Sequence, residues 1–240
     1  MNDALAVARK EWRELLGQRG ARGKAGIGLF LLAFGIVLPL ETGPSWITSP
    51  SVGIAWSWVP MFLVSTVIAD AFAGERERHT LETLLATRLP DGAILAGKMV
   101  AAIGYAGGLT AGSLLLAEVA LNLVGPRHGL LWYAPQVLLT LAVIGLLGSV
   151  FVAAVGVLIS LRAATVRQAQ MALGGTIIVL LLVPVLALRR LPPGWKRGLL
   201  PSAGSGARLA LLALLVFALL DVGVVALAKL RFTRARLISL

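Results

Sequence analysis

The sequence predicts an all-α membrane protein, six transmembrane helices preceded by an N-terminal amphipathic interfacial helix. Three observations carry that expectation. Of the 240 residues, 58% are hydrophobic and only 14% charged, where a soluble domain carries about 25% charge. The uncharged residues gather into runs that match a bilayer crossing, which needs roughly 20 apolar residues. The first 24 residues break that pattern by mixing acids and bases at helical spacing.

The opening element is read over residues 1–24. In "MNDALAVARKEWRELLGQR", Ala4, Leu5, Ala8, Trp12, Leu15 and Leu16 share an arc of about 120° at 100° per residue. Arg9, Lys10, Arg13, Glu14 and Gln18 occupy most of the remainder. Such a helix lies at a membrane surface, with Trp12 at headgroup depth and Arg near anionic lipid. Leu5, Trp12, Leu15 and Leu16 are its membrane-interface residues. No A-x-A-like site follows, so the next apolar run is expected to stay as the first span and not to be removed as a signal peptide.

The spans follow from the uncharged runs. Residues 25–40 give the first, ending at Pro39 and Glu41. The second lies within 42–69, starting near Val52. The third covers 99–117 and extends past Glu118 toward Val124. Residues 129–161 hold the fourth, 168–188 the fifth, and 208–230 the sixth, which Asp221 interrupts. The transmembrane domain is thus 25–230, with a tail at 231–240.

Six spans put both termini on one side, and Lys and Arg choose it. Residues 1–24, 75–98, 162–167 and 229–236 carry sixteen of the 22 basic residues. The opposite side carries six, five of them around the Pro- and Gly-rich stretch "LPPGWKRGLLPSAGSG", against the rule. Both termini are therefore expected in the cytoplasm, with the chain multi-pass in a cell (inner or plasma) membrane. The net charge of +11 is read as span-flanking charge, so no nucleic-acid partner is expected. With no Cys, disulfides and thiolate metal sites are excluded. His79 and His128 fall in loops on opposite sides, so no metal site is expected. No catalytic set of the Ser/His/Asp or H-E-x-x-H kind is present.

The segment "ERERHTLETLLATRLPDGAILAGKM", residues 75–99, concentrates charge between two apolar runs. It contains Gly92-x-x-x-x-Gly97-Lys98, one residue short of a phosphate-binding loop. That loop needs Ser or Thr next to hold magnesium, a strand before it and a helix after it. Here Met99 follows, and "ATRLPD" carries no strand signal. Pro90 instead ends one helix and Asp91 caps the next, leaving Lys98 to snorkel near the boundary of the third span. No nucleotide site is expected in this chain.

Residues 75–89 have helix-forming content. Leu81, Leu84 and Leu85 make one ridge, ringed by Glu75, Arg76, Glu77, Arg78 and Glu82. A short charged helix with a narrow apolar ridge can serve as a knob for a soluble partner, or lie on lipid as a solvated loop helix.

The pattern over 71–98 resembles the signature of the type-2 ABC exporter permeases, the transmembrane subunits of ABC transporters. The matching residues are Glu75, Glu77, Thr80, Leu81, Glu82, Leu84, Leu85, Pro90, Ile94, Leu95, Gly97 and Lys98. "ARKEWRELLGQRG" is similar to that family's opening helix. His79 stands where the family commonly has Gly, and Arg88 where a small or polar residue is usual. The resemblance implies a permease that forms the substrate pathway as a dimer, with itself or a similar chain, and is coupled to two separate ABC ATPase subunits. ATP and magnesium would be held by those subunits, with no cofactor in this chain and no enzymatic activity of its own. Residues 75–89 would be the coupling helix, with Glu75, Glu77, Thr80, Leu81, Glu82, Leu84 and Leu85 contacting the ATPase. The N-terminal helix would be the connecting helix.

Gly104, Gly108 and Gly112 recur every four residues along the third span, a spacing that lets helices approach closely. The packing is expected within one chain, with a dimer contact as the alternative. Glu118 and Asp221 fall in or near spans, where an ionised group costs at least a few kcal/mol. Each is a candidate pathway residue or is neutralised locally. A proton-coupled secondary transporter using these two acids, a non-transporting membrane scaffold and an intramembrane enzyme are the rival readings. A pathway lined by Leu, Val, Ala and Gly fits drugs, lipids, peptides or a membrane-embedded polymer.

Overall fold

The structure, a computed structural model, describes residues 2–17, 21–80, 87–124, 129–190 and 206–232. Every regular element among them is helical. In chain order these are α1 (Asn2–Gly17), α2 (Ala21–Leu32), a π-helical turn (Ala33–Val37), α3 (Leu38–Thr42), α4 (Ser45–Thr48), α5 (Pro50–Trp56), α6 (Trp58–Glu77), α7 (Asp91–Val124), α8 (Pro135–Ser160), α9 (Val166–Arg190) and α10 (Gly206–Arg231).

Among the described residues, five stretches are long and apolar enough to cross a membrane: Gly23–Thr42, Pro50–Glu77, Asp91–Val124, Pro135–Ser160 and Leu211–Arg231. They make the chain a membrane protein. The expected fifth span, 168–188, falls on α9, a helix of 25 residues. Several of its side chains between 180 and 189 lie outside the described residues, so the count reached there is five and not six. The second crossing runs eight residues past its expected end at 69, through the charged Asp70 and Glu75, to Glu77. Those charges are accommodated because Lys98 of α7 pairs with Glu75, and Arg78, just past the end of α6 itself, pairs with Asp70.

Local chemistry explains most boundaries. Gly43 adopts φ +69, beyond the reach of most L-residues, and ends α3. Pro50 and Pro135 sit at the first positions of α5 and α8, where a missing N–H costs nothing. The start of α9 is a variant of the capping box. Thr165 Oγ1 accepts from the Gln168 amide at 3.1 Å, and Gln168 Oε1 accepts from the Ala164 amide at 3.0 Å.

The core is built on α6, which packs against α7, α8 and α9, while α10 packs on α8 and α2 with its π-turn runs along α7. Lipid tails are as apolar as Leu, so close packing holds such helices together more than water exclusion does. The α6–α8 seam shows how. Gly145 faces Pro60, Gly148 faces Met61 and Gly156 faces Ile68; a Cβ would be tight against Pro60 at the first, would force Met61 to move at the second and would clash with Ile68 at the third. One polar stitch crosses that seam: Ser160 Oγ donates to the Ala69 carbonyl at 3.0 Å and accepts from the Ala73 amide at 2.9 Å.

Two ends can be told apart. One gathers α1, the C-termini of α6, α8 and α10, and the N-termini of α7 and α9; there Phe72 stacks near Phe232, their centroids 5.3 Å apart. At the other, Trp46, Ile47, Ala117, Leu121, Tyr133 and Val137 form a second cluster. Asn122 closes it by exchanging two hydrogen bonds with the Leu131 backbone, at 2.9 and 2.7 Å.

Candidate functional site

The first of these ends carries the stretch that the sequence singles out. Glu75, Arg76 and Glu77 are not part of a separate helix over 75–89. They are the last turn of α6, and the chain leaves that helix through a Schellman turn. The Thr80 amide donates to the Glu75 carbonyl at 2.9 Å, and the His79 amide to the Arg76 carbonyl at 3.1 Å. His79 holds φ +55, the left-handed position that glycine occupies most easily. Residues 81–86 lie outside the described residues, and with them the expected contact residues Leu81, Glu82, Leu84 and Leu85.

The four charges of the turn go in four directions. Glu75 Oε1 accepts from Lys98 Nζ of α7 at 2.8 Å. Arg76 donates to the Ala163 and Leu161 carbonyls just past the end of α8, both at 2.7 Å. Glu77 Oε1 accepts from the Val166 amide at the start of α9 at 2.9 Å. Arg78 folds back onto Asp70 at 2.9 Å. An arginine thus meets a helix C-terminus and a glutamate a helix N-terminus, the arrangement the helix dipole favours. The turn is a clasp that joins three neighbouring helices. Glu75, expected at the surface for a partner, is turned inward instead.

Lys98 is the centre of the clasp. Its side chain is 1% exposed, and besides Glu75 it reaches Glu11 of α1 at 2.9 Å. Its ammonium lies 5.4 Å from the centroid of the Phe72 ring. The expected snorkelling lysine is therefore a buried ion-pair lysine that ties α1, α6 and α7 together. It is buried because α1 covers it. Next to this group Lys10 bridges to Glu14 at 3.1 Å. Partial burial works to lower the Lys10 pKa, but the Glu14 hydrogen bond and the charges of Glu11, Glu14 and Glu75 outweigh it and raise it.

The fit of α1 against α7 is close. A Cβ at Gly97 would come within 2.6 Å of Val7 Cβ, and one at Gly104 would run into the Trp12 ring. Trp12 Nε1 donates to the Ala101 carbonyl at 2.8 Å. Val7 and Ala8 are buried and Leu15 packs against the core. The buried face is thus turned away from the apolar arc expected from sequence, toward Val7 and Glu11. Leu5 and Leu16, inside that arc, remain 56% and 63% exposed. A polar residue, Glu11, sits on the docked face because Lys98 lies opposite it.

The remaining candidates disperse. Gly104 receives Trp12 and a Cβ at Gly112 would lie an ordinary 3.8 Å from Leu31, whereas a Cβ at Gly108 would meet nothing within 4 Å. Glu118 is half-buried near the far end, one helical turn before Asn122, which donates to its carbonyl at 2.8 Å. Asp221 is 4% exposed, and neither of its carboxyl oxygens has a hydrogen-bond partner among the described residues. No group of three or more His, Cys, Asp or Glu among the described residues is placed to hold a metal. Glu11, Val7 and Ser160 are the site and packing residues that sequence reasoning passed over, while Lys98 and Arg76 were read there without the contacts they make. The signal that could have found Glu11 and Val7 is the small-residue spacing Gly97, Ala101, Gly104, one face of α7 left clear for another helix. No protein-family model matches the chain, and no curated protein matches it in sequence.

Proposed function

We propose that the chain is the permease subunit of an ATP-driven exporter, two permeases forming the substrate pathway and two separate ATPase subunits supplying the energy. The pattern over 71–98 carries the reading, because it combines an acidic, Leu-ridged loop with the Gly-Lys start of the next crossing. The position of that loop supports it. Residues 78–90 leave α6 at the end where α1 is joined to α6 through Lys98, so a push on the loop reaches α1 and α7 through one ion-pair cluster. Within the loop, Arg78, His79 and Thr80 are exposed and offer a surface to the ATPase, and the sequence pattern adds Leu81, Glu82, Leu84 and Leu85 to the proposed contact. Glu75 and Glu77 position that surface from behind. The six-span layout with cytoplasmic termini belongs to the same proposal.

The test is purification in mild detergent from the native membrane. An ABC-type ATPase should co-purify, and Glu82→Lys or the pair Leu84→Asp and Leu85→Asp should detach it while the chain still inserts. Retention of the ATPase and of ATP-coupled transport by those variants would refute the assignment. The buried, unpartnered Asp221 favours one rival, a proton-coupled carrier. That reading requires transport driven by a proton gradient in vesicles containing this chain alone.

A further inference from the structure

We infer that the outward flank of α1 is a binding site for the phosphate headgroup of an anionic lipid, held by Arg9 and Arg13. Four observations converge on it. First, α1 cannot roll, because Val7 against Gly97, Trp12 against Ala101 and Gly104, and Glu11 on Lys98 fix its other face. Second, Arg9 and Arg13, one turn apart and both exposed, are in none of the ion pairs found among the described residues. They share an open groove with Ala6, Lys10 and Glu14, three cations to one anion.

Third, height along the molecule is set by α7. The α1 contacts run from Gly97 to Gly104, about 10 Å of helix, where the sequence of α7 passes from Asp91 and Lys98 to an uncharged run. That is the polar–apolar boundary of a crossing. Fourth, the flank is mixed in character. Leu16 is 63% exposed and Trp12 is 41% exposed, both beside the arginines on the helix surface. A lipid satisfies both kinds of group at once, its phosphate between the two guanidinium groups and its acyl chain along Leu16. A soluble acidic partner would leave Leu16 without cover. The inference rests on membrane insertion of the chain and not on an ATPase, so it stands or falls separately from the transport reading.

The chain has no Cys, so Leu16→Cys provides one site for a fluorescent label. The labelled chain is placed in phosphatidylcholine vesicles in which either brominated phosphatidylglycerol or brominated phosphatidylcholine is the quencher. At about 1 kcal/mol for each basic residue near an anionic surface, two arginines should make the anionic lipid bind at this site on the order of thirtyfold more tightly. The preference should shrink with added salt. Arg9→Gln with Arg13→Gln should bring the two lipids to parity, while Arg9→Lys with Arg13→Lys keeps most of the preference. Equal quenching in the parent chain, or a preference that survives the glutamine pair, overturns the inference. So does a label that neither lipid quenches, which would mean that this flank faces water or protein.

Discussion

Lys98, its side chain 1% exposed, meets two largely buried carboxylates at under 3 Å. Taking charges out of water is costly, and a buried pair is worth having only while all its members are present. Lys98→Met should therefore lower stability by about 3–5 kcal/mol, seen as a fall in the thermal unfolding midpoint in detergent. Adding Glu11→Gln and Glu75→Gln to Lys98→Met should recover much of that loss, because no uncompensated charge then stays buried. Equal stability of Lys98→Met and the parent would show that water enters the cluster. Asp221 poses the opposite case. Its neighbour α8 has no ionisable residue at all, and Lys229 is two turns away on its own helix, about 12 Å. A buried polar group without a partner costs about 1–3 kcal/mol, so Asp221→Leu should raise the unfolding midpoint. A lower midpoint would reveal a partner that the single chain lacks. A higher midpoint joined to lost transport would mark the acid as one kept for function at a cost in stability.

Among the elements, α1 and α7 show what sequence periodicity can and cannot do. The hydrophobic arc of α1 was expected to face the membrane, and Leu5, Trp12 and Leu16 on it do stay exposed. What the arc did not announce is a second face, toward Val7 and Glu11, that packs on protein because Gly97 and Lys98 of another helix, 86 and 87 positions after Glu11, receive it. The glycines every four residues on α7 announced close approach. Only Gly104 is in tight contact, and it takes a tryptophan side chain from α1. The closest glycine seam lies on α8 at residues 145, 148 and 156, whose spacing of three and then eight is less regular to the eye. Gly104 and Gly108 separate packing within the chain from a contact between copies. Gly104→Leu should displace α1 and expose the lysine cluster, read as faster protease cleavage between residues 17 and 24. Gly108→Leu should leave that cleavage unchanged. If Gly108→Leu instead converts a purified dimer to a monomer with the same midpoint, Gly108 belongs to an interface between copies.

For the molecule as a whole, hydropathy located the crossings well, since every stretch long and apolar enough to span a membrane coincides with an expected span to within several residues. The largest departures, at residues 70–77 and 91–98, occur where charge was taken as the end of a span. Composition, the positions of the apolar helices and the gathering of basic residues at one end were determined by the sequence itself, because each depends on residues near one another along the chain. Only the tertiary structure decided where the charges of residues 70–78 go, which face of α1 is buried, and that Lys98 is a buried cation between two acids. The physical reason is that the cost of a charge depends on its neighbours in space. Here those neighbours come from α1, α7, α8 and α9, which no local pattern in "ERER" can specify.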